Sequence, residues 1–332
     1  MFRSLSSSGA ESLSAELLLS GLVKVARLVK ESYSEVVKGL DEFVDTRFYP
    51  PKSEEPEMVL RYFFFMVAID HRTSKLGPFE GYVDGEFFHG ADMLYRLGKL
   101  RYDQDPDFFS PERMSRITPK DVEEWLTAPS GMTIWDPSVR AELLQDAGRK
   151  LLRLFGGSVS KLLNASGGRI RGFTSAGLSN FFKVFKAYSD PVEKKLFLFV
   201  KFTTRRGLLE VVDEHNIETP VDNHLTRIAL RLGIVRTKKE LLHKILSKVE
   251  FTEQEDIEIR MAVRRAYKLV SRISGIRPDY LDDYLWSFGR KYCTREKPAC
   301  ESIGRCPLSE ACTSFGKASS LTEHSFTNTF YY

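Results

Sequence analysis

The sequence predicts an all-α, two-lobed protein, and three observations carry that expectation. Apolar residues recur at helical spacing along most of the 332 residues. No set of alternating segments could make a sheet of any size. Proline, glycine and capping residues punctuate the helical runs at regular intervals. Candidate helices cover 12–40, 57–71, 89–98, 119–126, 136–155, 176–187, 191–213, 222–232, 237–248, 254–273 and 278–290. The stretch 77–85 (Gly-Pro-Phe-Glu-Gly-Tyr-Val-Asp-Gly) reads as a loop or at most one hairpin.

Turn-forming residues divide these helices. Pro50-Pro51 ends the first long one, and Gly167-Gly168 with Arg169, Arg171 and Gly172 marks a basic, flexible loop. Asp190-Pro191 supplies an N-cap and a first-position proline, and Thr219-Pro220-Val221-Asp222 opens the next helix in the same way. The expected organisation is a helical N-terminal lobe over 1–135, a helical core over 136–290, a cysteine loop over 291–312, and a polar, aromatic tail over 313–332. The tail lacks periodicity, which leaves disorder and docking on the body both open.

The composition is that of a globular chain, with 42% apolar residues and 24 Phe to fill a core. The formal charge of +4 is too mild to imply nucleic acid by itself, so any phosphate-binding role must come from local clusters. No segment reaches the roughly 18 to 20 apolar residues a membrane span requires. The Ser-rich start, followed by an amphipathic stretch with Lys24, Arg27 and Lys30, lacks the features of a secretory signal. The expectation is a cytoplasmic protein that engages no membrane.

All four cysteines, Cys293, Cys300, Cys306 and Cys312, lie in one short segment with the spacing C-x6-C-x5-C-x5-C. Stapling disulfides are usually spread along a chain, so this crowding suggests a single metal site. A thiolate quartet suits tetrahedral zinc or a [4Fe–4S] cluster. Structural zinc sites usually draw two ligands from a C-x2-C turn, which is missing here, and wide single spacing fits the larger cluster better. The segment resembles the iron–sulfur loop of endonuclease III-like DNA glycosylases, C-x6-C-x2-C-x5-C. The first and last intervals and Cys306-Pro307-Leu308 match, while the middle interval is three residues longer, which places an insertion within 301–305. The resemblance implies a structural [4Fe–4S] cluster that sets a basic loop against DNA phosphates. Lys291, Arg295, Lys297 and Arg305 are the residues available for that, although such residues on exposed loops more often only face water.

The phrase 219–233 (Thr-Pro-Val-Asp-Asn-His-Leu-Thr-Arg-Ile-Ala-Leu-Arg-Leu-Gly) carries an apolar stripe of Leu225, Ile228, Ala229 and Leu232, with Gly233 able to close the helix. From local pattern alone, Asp222 is an N-cap. The phrase also resembles the P-V-D-x-H-V-x-R-x-x-x-R-L-G stretch of helix-hairpin-helix glycosylases. That resemblance implies that Asp222 is the catalytic carboxylate, supporting the cationic sugar as the base departs, and that Arg227 or Arg231 touches phosphate. One helix upstream, Lys201 lies among Phe199, Val200 and Phe202. Burial there would favour a neutral, nucleophilic amine, whereas the bland alternative is a lysine that snorkels to water. The run Asp190 to Lys201 resembles the lysine helix of archaeal 8-oxoguanine glycosylases, which implies a Schiff-base role for Lys201.

The L-P-G-x-G hairpin of the common glycosylases is missing; Gly172-Phe173-Thr174-Ser175-Ala176-Gly177-Leu178 stands where it should lie. A second resemblance, carried by Asp136, Arg140, Ala147-Gly148, Leu152 and 155–158, is to queuosine-salvage nucleotide glycosidases. In that case Asp70, His71, Arg72, His89 and Asp92 could line a pocket for base or phosphate. The expectation is therefore a monomeric N-glycosylase, with or without lyase activity, whose partner is DNA bearing a modified or damaged base. Two alternatives are a hydrolase of a free modified nucleoside 5′-monophosphate and a nucleic-acid-binding iron–sulfur protein without turnover.

Overall fold

The computed structural model describes residues 15–39, 41–75, 77–172 and 176–332, which leaves 12–14 and 40 of the first expected helix, and Phe173, Thr174 and Ser175, outside the described residues. A strand β1 (Ala15–Leu17) leads to α1 (Leu19–Val36), α2 (Pro56–Ala68), a hairpin of β2 (Glu80–Val83) and β3 (Glu86–His89), and α3 (Ala91–Gln104). Then come α4 (Pro111–Met114), α5 (Pro119–Trp125), α6 (Pro137–Phe155), α7 (Val159–Ala165), α8 (Leu178–Phe182) and α9 (Lys194–Arg205). The remainder is α10 (Asn223–Leu232), β4 (Val235–Thr237), α11 (Lys239–Leu246), α12 (Glu253–Ser274), α13 (Pro278–Lys291) and α14 (Ala299–Ser302). The all-α expectation holds, since strand among the described residues is confined to two short antiparallel pairs.

Several boundaries differ from those the sequence predicts, each for a local reason. The first helix begins at Leu19 because Ala15–Leu17 pairs with β4, Glu16 opposite Arg236. The hairpin forms over 80–89, turning at Asp84 and Gly85, whose φ angles of 52° and 81° are those of a two-residue Asp-Gly turn. α9 starts at Lys194 and not at Pro191. Asp190 accepts from the amides of Val192 and Lys194, and Glu193 adopts a left-handed φ of 62° before the helix begins. The helix also stops early, at Arg205, where Gly207 turns the chain at φ 74°.

The chain divides into two compact units, neither contiguous in sequence. One comprises Met1–Val36, Val221–Ile276 and Asp283–Thr327; the other comprises Val37–Pro220, Arg277–Asp282 and Asn328–Tyr332. In the first, α1 and α10 pack on α12. The phenol of Tyr267 on α12 donates to the carbonyl of Leu225 at 2.9 Å, and a Thr252–Glu255 capping box starts α12. Residues 313–327 are docked in this unit: His324 is buried with its Nε2 2.7 Å from Asp256, which also holds Arg260 at 2.9 Å.

The second unit has an aromatic core. Phe63, Phe64 and Phe65 of α2 are fully buried, and Tyr188 stacks on Phe64 with ring centroids 5.4 Å apart. Arg140 of α6 is also fully buried, and its guanidinium donates to the carbonyls of Ile69, His71, Arg72 and Trp135. Burial pushes this group down to about 9, with Asp70 and Asp136 partly offsetting the effect. A single guanidinium with five donors therefore fixes the turn that follows α2.

Gly148 of α6 is where α4 crosses. A Cβ there would lie 2.5 Å from the Ser115 amide nitrogen and 2.7 Å from the Pro111 carbonyl oxygen, both backbone atoms that cannot yield cheaply. Gly148→Ala gains about 1 kcal/mol in helix propensity, but overpacking of this kind costs about 1–3 kcal/mol. The expected outcome is a net loss of stability in urea denaturation, visible as a lower midpoint at unchanged slope.

Candidate functional site

In the first unit, the candidate residues converge on α10. Asp222 has extended backbone angles, and its Oδ1 accepts from the Leu225 amide at 2.8 Å, so it is the N-cap. The stripe of Leu225, Ile228, Ala229 and Leu232 is buried, and Gly233 closes the helix at φ 70°. This places a half-buried carboxylate at the positive end of the helix dipole.

His224 lies in the next half turn. Arg227 Nη2 lies 3.0 Å from its Nδ1, and an arginine can only donate, so the neutral ring carries its proton on Nε2. Burial lowers the imidazole's proton affinity, partly offset by Asp222. The ring packs so closely on α13 that a Cβ at Gly289 would come within 2.0 Å of Nε2.

Arg227 and Arg231 do not face outward, and the expected phosphate contact is corrected for both. Arg227 is buried and pairs with Glu323 at 3.1 Å. Arg231 is buried and donates to the carbonyls of Leu321, Thr294 and Arg295, each at 2.7 Å, with Nη1 3.4 Å from Cys293 Sγ. Their charges are spent on holding the cysteine loop and the following segment against α10. Lys291 is exposed and donates to the Val36 carbonyl, and Arg295 is half exposed and pairs with Glu323 at 3.2 Å. Lys297 and Arg305 are exposed. Of the cations expected on phosphate, these four keep heads at the surface.

None of the four cysteines is in a disulfide. Burial, with a further contribution from the other three thiols, pushes Cys306 up to about 12; Cys312 is raised to about 11, chiefly by burial. Cys312 Sγ also donates to the Arg231 carbonyl at 3.2 Å. The donor chemistry suits iron–sulfur or zinc. However, among the described residues no three His, Cys, Asp or Glu side chains are drawn together closely enough to hold a metal ion. The residues that lengthen the middle interval form part of α14 and a turn at Gly304 (φ 66°), with Ile303 exposed, and Glu301 accepts from the amide and hydroxyl of Ser319 at 2.5 and 2.6 Å.

In the second unit, Lys201 does not snorkel to water. Its side chain is buried, with Nζ 2.6 Å from Asp282 Oδ2 and 5.8 Å from the centre of the Phe43 ring. The amine therefore meets a carboxylate, where the sequence predicts apolar walls alone. Lys194, Lys201 and Arg205 share one face of α9 at positions i, i+7 and i+11. Each has its own aspartate: Asp70 at 3.2 Å, Asp282 at 2.6 Å and Asp279 at 2.9 Å. Sequence reasoning missed Asp279 and Asp282, although Pro278-Asp279-x-x-Asp282 sets two carboxylates on one face of the first turn of α13.

Asp70 also accepts from the Tyr95 hydroxyl at 3.0 Å. His71 is buried beside Lys195, whose Nζ donates to the Ala68 carbonyl at 2.6 Å; burial and the neighbouring cations Arg140, Lys195 and Lys194 hold His71 neutral. Arg72 donates its amide to the Tyr332 carbonyl, and His89 is exposed. A cavity of about 580 Å³, which no sequence motif marks, lies in the same unit, walled by Leu97, Phe108, Met114 and Trp125 with Arg101 at its side.

No family model matches the chain, and no curated protein matches it. Among solved structures, it is similar to an endonuclease III trapped covalently on DNA, at 13% identity over 91% of this chain and 98% of that one, with a TM-score of 0.44. It is also similar to an 8-oxoguanine DNA glycosylase from Pyrobaculum aerophilum with 8-oxoguanosine bound, at 15% identity over 90% and 97% of the two chains, with a TM-score of 0.45.

Arg231→Ala removes the common donor of three loop carbonyls. Leaving them buried without partners should cost on the order of 2–4 kcal/mol. The expected result is a lower melting temperature together with faster proteolytic cleavage within 291–325, measured on the full chain.

Proposed function

We propose that this chain is an N-glycosylase that cleaves the bond between sugar and base at a modified or damaged base in DNA, with lyase activity on the abasic site that results. The observation that carries the reading is the carboxylate of Asp222, fixed as the N-cap of α10 within a phrase that resembles the catalytic stretch of helix-hairpin-helix glycosylases. A carboxylate at this place can support the positive charge that grows on the sugar as the base leaves. Lys201 is the amine proposed to attack the abasic sugar, and the exposed Lys291, Arg295 and Arg305 are the proposed phosphate contacts.

Cys293, Cys300, Cys306 and Cys312 are the proposed ligands of a [4Fe–4S] cluster. A bound cluster would supply structural cross-linking of the loop and no chemistry on the sugar. Protein purified without oxygen is expected to be brown and to carry about four irons per chain. One zinc and no iron would overturn that assignment.

The function is tested with duplexes that each carry one damaged base, run beside free modified nucleoside 5′-monophosphates. Asp222→Asn should lower base release from the preferred duplex by about 100- to 1000-fold. It should leave the melting temperature nearly unchanged, since Asn is as good an N-cap. Undiminished release by the mutant would reduce Asp222 to a cap. Cleavage of the free nucleotide alone would favour the nucleotide hydrolase instead.

A further inference from the structure

We propose that the cavity bordered by α3, α4 and α5 binds a small organic monoanion, an aromatic body that carries one carboxylate, with Arg101 as the residue that receives the charge. The inference involves neither Asp222 nor Lys201 and stands apart from the glycosylase reading.

Three observations carry it. First, the cavity has the size and walls of a small-molecule site. Its volume of about 580 Å³ falls inside the roughly 300–1000 Å³ that such sites span. It opens past Gln104, Arg116 and Glu124, all exposed, which gives a ligand its way in. Phe108 meets Trp125 edge-on with ring centroids 5.0 Å apart, and the indole Nε1 is already used on the Leu97 carbonyl at 3.2 Å. With Met114 and Leu97 beside them, these rings make walls on which a flat apolar body is well buried.

Second, Arg101 has donors to spare. Its guanidinium carbon sits 4.4 Å from the centre of the Phe108 ring, and its Nε is buried without an acceptor. Among the described residues no carbonyl or carboxylate accepts from this group, and Asp121 acts on it only through space. Arg140 is the contrast: its donors are spent on backbone carbonyls, as a purely structural arginine requires. The in-plane fork of a guanidinium matches the two oxygens of a carboxylate. Tilting off Phe108 toward such a ligand gives Nε the acceptor it lacks.

Third, the surrounding charges select a single negative charge. Three arginines and three carboxylates line the cavity, so no excess of positive charge is available for a dianion. Arg113 is paired with Asp105, Glu124 with Lys120 at 3.6 Å, and Asp121 is occupied by the amide and hydroxyl of Thr118. A phosphate would meet these carboxylates as well as Arg101, whereas one carboxylate is matched by Arg101 alone.

The test uses the full chain and naphthoate, titrated by calorimetry beside its neutral amide and naphthyl phosphate. The parent chain should bind naphthoate saturably with a Kd of about 0.1–1 mM. The amide and the phosphate should each bind about tenfold more weakly or worse. Arg101→Gln should weaken naphthoate binding by about tenfold, while Arg113→Gln, which removes an arginine already paired, should stay within about threefold. Gln104→Trp, which sets a large ring at the exposed rim, should block binding and so locate the ligand in this cavity. The melting temperature of Arg101→Gln should match the parent's, since the guanidinium has no bond to the chain to lose. If it melts early, Arg101→Lys, which keeps the charge and loses the fork, should still bind more weakly than the parent at full stability. Any of four results overturns the proposal: no saturable binding by the parent chain, equal affinity for the amide, tighter binding of the phosphate, or undiminished binding by the Arg101 or Gln104 variants. None of them touches the glycosylase reading.

Discussion

Buried cations in this protein must find acceptors, and the positions of those acceptors fix the irregular parts of the chain. An unpartnered guanidinium or ammonium in a core costs several kcal/mol, so each such side chain holds in place the segment that carries its partner. Arg140 fixes the turn after α2 through four carbonyls, and Arg231 fixes the cysteine loop through three. Arg260 and His324 share Asp256 and thereby seat the segment after the loop. Helices follow from local pattern, and the loops follow from these charges.

The same rule gives α9 its character. Lys194, Lys201 and Arg205 align along one face, and each meets a separate aspartate. Such a row admits little slippage, because a rotation by one residue would break all three pairs together. The helix can thus present an amine buried among Phe43 and Phe202 without letting it wander. Asp222 depends on a different device: the Leu225 amide in the first turn of α10 holds the carboxylate by a hydrogen bond at the positive end of the helix dipole. Both candidate groups are oriented by regular helices and not by loops.

Much of this was legible in the sequence. The helical periodicity located α6, α10, α12 and α13 to within a residue or two, and Asp222 and Gly233 marked both ends of α10. The failures have physical causes. β1 is three residues long and takes its identity from pairing with residues more than two hundred positions away, which no local pattern records. The resemblance implied that Arg227 or Arg231 touches phosphate, and no local pattern reveals that a distant loop folds over both. Asp282 was invisible for the same reason: its significance lies in a contact 81 residues back along the chain. The cysteine spacing suggested a ligand set, and among the described residues no three candidate ligands are drawn together closely enough for a metal ion.

Arg231 joins two stretches that are far apart in sequence. It bonds the carbonyls of Thr294 and Arg295 at the start of the cysteine loop, and through Nε that of Leu321. The ordering of the loop is therefore mechanically tied to the ordering of the chain around Leu321. A fluorescent reporter attached near that position would sense whether the loop is assembled, without any thiol being touched.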